Sequence, residues 1–93
     1  MKLSIKDIAK YEIIGLYAEV ADSKNISNIG ICGKIIDETK NTIIIECKGK
    51  KKRIFKDNVI LKIKFGKQPI IIKGSLLAGN PKERIKNGKN KNH

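Results

Sequence analysis

Between Ile29 and Gly74 the chain runs through five short segments, most of them apolar, and no connection between them exceeds five residues. The segments read "IGICGKIID", "TIIIECK", "KKRIFK", which is basic rather than apolar, "VILKIKF" and "PIIIKG"; the connections are "DETKN", "KG", "DN" and "GKQ". Strands this short, joined by turns this tight, predict an antiparallel meander. With an earlier alternating segment, "YAEVAD", the expected fold is mostly β: a small, strongly bent barrel of about six strands, of the Sm-like or SH3-like kind. Closure would remove the open edges through which sheets aggregate.

The side-chain pattern assigns faces. In "VILKIKF", Val59, Leu61, Ile63 and Phe65 share one face, and Ile60, Lys62 and Lys64 the other. "TIIIECK" is apolar at successive positions and reads as a strand buried in part on both faces. Phe65 fits the inward face, and Phe55 is expected in the core. Gly30 and Gly33 lie inside "IGICGKIID", where glycine permits a sharp bend or close backbone approach. Pro69 begins the last strand, a permitted place for proline. "SKNISN" reads as loop.

Helices are expected at both ends. Ser4 and Asp7 form a capping-box pattern, and Ile5, Ile8 and Ala9 then fall on one face. A short helix is predicted from Ser4 to Glu12 or Ile13, ended by Gly15. Its narrow apolar stripe either lies on the domain or docks onto a partner. In "NPKERIKNG", Asn80 suits the cap, Pro81 the first helical position, Glu83 the third and Gly88 the end. That predicts about two turns of helix, followed by a disordered basic tail. The implied organisation is an N-terminal helical segment (1–15), a β-barrel (16–79) and a basic helix and tail (80–93).

At 93 residues the chain makes one small domain with a modest core. It contains no apolar run of about 18 residues, so no membrane span is expected. The first residues carry Lys, Asp and Glu and no small-residue cleavage pattern, which argues against a signal peptide and for a cytoplasmic protein. Cys32 and Cys47 stand without a CxxC pair, and the one histidine is His93. No four-ligand zinc site can be assembled from them. The cysteines read either as two half-buried thiols or as a cross-strand disulfide. Asp37 and Glu38 are adjacent, and adjacent residues on a strand point to opposite faces. A structural turn in which Asp37 accepts backbone hydrogen bonds is the expectation, against a metal or catalytic role.

The charge is segregated. Residues 1–47 carry six lysines against seven acids, whereas residues 48–67 carry nine Lys and Arg against Asp57 alone. Residues 80–93 add five cations against Glu83. AT-rich codons would explain abundant Lys, Ile and Asn, but not a neutral first half beside a basic second half. Such asymmetry is the footprint of a nucleic-acid binder. Lysines dominate and aromatics are few, which predicts recognition of RNA shape and backbone rather than of bases.

"EIIGLYAEVADSKN", "GICGKIIDETKNTIII", "KRIFK" and "GSLLAGNPKERIK" follow one another in an order and spacing that resembles a known family. It is the Sm-like protein subunit of archaeal ribonuclease P, the relative of eukaryotic Pop4. The resemblance spans roughly residues 11 to 86, and its most specific pieces are "IGL", "GICGKIIDETKNT" and "PKERIK". The turn "CKGKKK" is more lysine-rich than is usual for the family. The resemblance implies a bent barrel with helical ends. It also implies an accessory, non-catalytic subunit of the ribonucleoprotein that removes the 5′ leader of precursor tRNA. The RNA with bound magnesium would be the catalyst, and this chain would bind no cofactor itself. A zinc-ribbon subunit would be its protein partner, the two together supporting the specificity domain of the RNA, and alone the chain would be a monomer.

The expected RNA-facing residues are Lys10, Tyr11, Lys40, Asn41, Lys48, Lys50, Lys51, Lys52, Arg53, Lys56, Lys62, Lys64, Lys82 and Arg84. Of these, the cations of the second half are expected on one sheet surface, and Tyr11 is the candidate for base stacking. The tip Thr39, Lys40 and Asn41 reads either as a solvated turn or as a contact. Ile5, Ile8, Ile14, Leu16 and Ile31 are the expected protein-contact residues. Competing functions are a ring-forming Sm-like RNA chaperone, a small ribosomal protein with an SH3-like barrel, and a stand-alone nuclease. The last finds no catalytic constellation.

Overall fold

The computed structural model describes residues 12–82. Six strands form one antiparallel sheet: β1 (Tyr17–Ser23), β2 (Cys32–Glu38), β3 (Thr42–Cys47), β4 (Lys50–Phe55), β5 (Val59–Phe65) and β6 (Gln68–Lys73). Their order is β4-β3-β2-β1-β5-β6. Strands β1 to β4 follow the expected meander. β5 departs from it, because it leaves β4 at one edge and pairs with β1 near the other. The ladder does not close: β4 and β6 are its two edges.

The connection from β4 to β5 nevertheless forces a curl. In a flat sheet the two strands would lie four spacings apart, about 19 Å. From Phe55 to Val59 four residues can span at most about 14 Å. Register shifts between Val20 and Asp22 and between Ile35 and Asp37 mark bulges in β1 and β2, and a bulge bends its strand. The gap that remains is covered by chain rather than by a strand ladder. A 3-10 turn at Gly74–Leu77 follows β6, Leu77 is buried, and the Gly79 N–H donates to the Lys40 carbonyl at 2.9 Å.

The concave side holds the core: Ala18, Val20, Ile35, Ile43, Ile45, Ile54, Val59, Leu61, Ile63 and Ile72, with Ile13 and Leu77 at the ends. Burying each large aliphatic side chain contributes about 1.5–3 kcal/mol. The alternation in "VILKIKF" is realised, with Val59, Leu61 and Ile63 buried, Phe65 packed against the core, and Lys62 and Lys64 exposed. On β3, Ile43 and Ile45 are buried and Ile44 is half-buried. Phe55 is a correction: it is 55% exposed, on the edge strand in register with Thr42 rather than with a core residue.

Glycine acts at two kinds of place. Gly33 lies inside β2, where a Cβ would stand 2.1 Å from the Glu46 carbonyl oxygen; this is the close backbone approach that the sequence suggests. Gly30 lies before the strand, not in it, at φ +90°. The β3–β4 turn consists of Lys48 and Gly49 at φ 51° and 81°, the two positive angles that a type I′ hairpin requires.

The predicted N-terminal helix falls on residues outside those described, apart from Glu12 and Ile13, which are irregular. At the other end Asn80 caps as expected, its Oδ1 accepting from Lys82 N–H at 3.0 Å. Only Pro81 and Lys82 of the predicted helix are described; the rest of it and the basic tail lie outside the described residues. Among the described residues no terminal helix is seen beyond those two. Among the described residues no helix is long and apolar enough to cross a membrane.

Candidate nucleic-acid interface

β4 is an edge strand built almost wholly of cations. Lys50, Lys51, Lys52 and Arg53 are all exposed, and Ile54 alone of the strand is buried. Lys48 in the turn is exposed as well. Register with β3 sorts them by face. Lys51 opposes Glu46 and Arg53 opposes Ile44, on the convex side; Lys50 opposes Cys47 and Lys52 opposes Ile45, on the side that carries the core row. None of these cations forms an ion pair with a described residue.

Lys62 and Lys64 share the convex face, but β3, β2 and β1 separate them from β4. The expectation that both basic strands form one surface is thereby corrected: adjacency in sequence is not adjacency in this sheet. Acids also intervene. Glu46 is in register with both Lys51 and Lys34, and Glu19 with Lys62. Lys64 lies with its Nζ 5.7 Å from the centre of the Tyr17 ring, within cation–π range. The Tyr17 phenol is shifted above its ordinary value, first by its hydrogen bond with the Cys32 side chain and then by charge on that same thiol. Cys32 and Cys47 are free, half-buried thiols.

Lys56 is the clearest correction. It was expected to face RNA, yet it is completely buried. Its Nζ donates to Glu38 Oε2 at 2.7 Å, to the Thr39 carbonyl at 2.7 Å and to the Leu77 carbonyl at 2.8 Å. A longer contact reaches the Lys40 carbonyl at 3.3 Å. Its backbone N–H donates to the Asn41 carbonyl at 2.8 Å. One lysine thus fastens the β2–β3 turn, the β4–β5 connection and the segment after β6. Fixed in this way, Lys40 and Asn41 remain exposed at the tip.

The same contacts show where the paired acids lie. Asp37 is exposed, and its Oδ1 accepts from the Glu38 N–H at 2.8 Å, the backbone bond expected of a turn. Glu38 points inward to Lys56. The sequence reading missed Glu38 as a buried anchor; an acid four residues before the "TIII" strand and a lysine after "IF" carry no local mark of pairing. Among the described residues no three His, Cys, Asp or Glu side chains are grouped to hold a metal.

Of the expected protein-contact residues, Ile14 is 41% exposed, while Leu16 and Ile31 pack against the core. Lys82 is exposed. Ile5, Ile8, Lys10, Tyr11 and Arg84 lie outside the described residues. At the far end of the sheet a cavity of about 290 Å³ opens between Asp22, Lys24, Asp57, Asn58, Lys73 and Ser75, residues that the sequence reading did not single out.

Comparison with known proteins bears on what this surface serves. Residues 6–87 match the family described as ribonuclease P/MRP, subunit p29. The ribonuclease P protein component 1 of Thermofilum pendens is 51% identical over 89 residues, covering 92% of this chain and 94% of the relative. That of Methanocaldococcus jannaschii is 40% identical over 81 residues, covering 86% and 85%. A solved structure described as that of Mth11, a homologue of human RNase P protein Rpp29, superposes with a TM-score of 0.58 at 32% identity, covering 81% of this chain and 99% of that one. With a match of this extent at both the sequence and the fold level, the chain belongs to the ribonuclease P/MRP subunit p29 family.

Proposed function

We propose that this chain is a non-catalytic, RNA-binding protein subunit of ribonuclease P, the ribonucleoprotein that removes the 5′ leader of precursor tRNA. The observation that carries the RNA-binding part is β4 and the turn before it: five exposed cations from Lys48 to Arg53 without an ion pair among the described residues. Unneutralised cations next to an RNA release its condensed counterions, which drives association. Family membership supports the assignment to ribonuclease P. In this reading the catalyst is the RNA with its magnesium, the chain alone is a monomer, and a zinc-ribbon subunit joins it in supporting the specificity domain.

Reconstitution tests the proposal. The purified chain alone should leave precursor tRNA intact with or without magnesium. Added to the cognate RNA and the other protein subunits, it should raise the cleavage rate or lower the magnesium needed, because its cations reduce repulsion between RNA segments. Cleavage by the RNA-free chain, lost in Asp37→Ala, would overturn the accessory role.

A further inference from the structure

We propose that the tip of the β2–β3 turn is a main-chain phosphate site, in which the N–H groups of Lys40 and Asn41 donate to a backbone phosphate of the bound RNA. The inference rests on the RNA-binding role proposed above and adds a second point of contact, away from the β4 cations, with the atoms that make it.

The carbonyls of the tip all point into the protein. That of Thr39 accepts from Lys56 Nζ at 2.7 Å, and that of Asn41 from the Lys56 N–H at 2.8 Å. That of Lys40 accepts from the Gly79 N–H at 2.9 Å, with Lys56 Nζ at 3.3 Å. Lys56 is fully buried, so the directions toward it are inward. A trans peptide is planar, and its N–H points opposite to its C=O; no peptide bond here is cis. The peptide that supplies the Thr39 carbonyl also supplies the Lys40 N–H, and the one that supplies the Lys40 carbonyl also supplies the Asn41 N–H. Both N–H groups therefore face outward, on exposed residues. Among the described residues nothing accepts from either. The next peptide is closed, because the Thr42 N–H donates to Thr39 Oγ1 at 3.1 Å.

An exposed turn ordinarily shows water both donors and acceptors. This one has its acceptors engaged from within and shows two adjacent N–H groups, with the Lys40 side chain beside them. Successive N–H groups in a turn make an anion-binding concavity. The buried ammonium strengthens it. Nζ lies on the carbonyl side of both peptides, and hydrogen bonds in series polarise one another. Glu38 offsets the charge of Lys56 at a distance, so the effect is carried by the hydrogen bonds rather than by a long-range field. Lys56 is thus a positioning residue that never touches the ligand. The neighbouring acids are engaged elsewhere: Glu38 is buried on Lys56, and Asp37 Oδ1 accepts from the Glu38 N–H. The unesterified oxygens of a phosphodiester only accept, which suits a surface that only donates. The register of β3 with β4 puts the tip beside Phe55, at the opposite end of β4 from the Lys48–Gly49 turn. A backbone that follows the β4 cations reaches it.

The amide shifts of the full chain, followed by heteronuclear NMR, test the site. Inorganic phosphate at constant ionic strength, with chloride as the control, should move the Lys40 and Asn41 amides in one saturable step, and a short RNA hairpin should move the same two. Lys40→Gln should weaken phosphate binding about two- to fivefold, as loss of one exposed charge does, and leave both amides responding. Lys56→Met/Glu38→Leu, shown by circular dichroism to be folded, removes the ammonium with its counter-charge and should weaken phosphate binding by at least the same factor, although neither side chain meets solvent. Phosphate binding unchanged in that folded variant would overturn the role given to Lys56. If Lys40→Gln abolishes both shifts, a side chain holds the anion and the main-chain site fails. If phosphate moves the amides and the hairpin does not, the tip takes a free ion only and is no RNA contact. If the hairpin binds and moves the amides of β4 alone, the proposal fails and the RNA-binding role stands; if the hairpin does not bind at all, that role falls too.

Discussion

Lys56 Nζ lies 2.7 Å from Glu38 Oε2, and both side chains are shut off from solvent. Taking two charges out of water is expensive, and their attraction compensates only when the remaining hydrogen-bonding capacity is met. Here the ammonium also reaches the Thr39 and Leu77 carbonyls. Lys56→Met should therefore cost about 3–5 kcal/mol, because it removes the cation from a buried ion pair. Lys56→Met combined with Glu38→Leu should recover a large part of that loss but not all. The two carbonyls still lose their donor, at about 1–3 kcal/mol for each one left unsatisfied. Urea denaturation of the two single variants and the double variant measures the coupling. Additive losses would mean that the pair does not hold the curl together.

That pair also marks where the sequence stops being readable. The strands were readable because alternation and turn residues are local: "VILKIKF" states its own faces, and "KG" its own hairpin. The order of the strands was not, because β5 pairs with β1 across about forty residues of sequence. The connection "DN" reads in the sequence as a hairpin turn; in the fold Lys56–Asn58 is instead the crossing point of the curl. Lys56 was misplaced for the same reason. In sequence it is one more lysine in a basic run; in the fold it stands where β2, β4 and the segment after β6 converge. Phe55, one residue earlier, is aromatic and was placed in the core, but edge-strand alternation turns it outward. The cations of β4 were found because charge density is a property of composition. Their division between two faces became visible only with the register.

Gly33→Ala tests the contact between β2 and β3. The added Cβ would stand 2.1 Å from the Glu46 carbonyl oxygen, and that oxygen belongs to the backbone of a paired strand. The strands must part locally. A loss of about 1–3 kcal/mol, the usual cost of overpacking, is expected in thermal or urea unfolding. Unchanged stability would show that the two strands can separate at this point without penalty.

The Tyr17 phenol should titrate above its ordinary 10.0, chiefly because of its hydrogen bond with the Cys32 side chain. The unfolded chain then releases this proton at lower pH than the folded one. This group's contribution to stability is complete below pH 10 and falls as pH rises through the folded value. Absorbance titration in a Tyr11→Phe background isolates the signal. Cys32→Ala should move the midpoint back toward 10.0. A midpoint that does not respond to Cys32→Ala would assign the shift to another cause.

Lys48 holds a backbone angle of φ 51° at the first position of a type I′ turn, a conformation that lysine adopts less readily than asparagine does. A residue better suited to that turn is not there, although turn geometry alone would select it. Lys48→Asn should stabilise the hairpin by about 0.5–1 kcal/mol, from the lower cost of the left-handed conformation for asparagine. For a domain of this size about 1 kcal/mol corresponds to some 4–8 °C in Tm. The same substitution removes the cation of the β3–β4 turn. If Lys48 meets a phosphate, the salt slope of RNA binding should flatten by about 0.7–0.9. Stability and RNA affinity should therefore move in opposite directions in one variant. A gain in Tm with an unchanged salt slope would leave the turn strained for no benefit in binding and would remove Lys48 from the RNA surface.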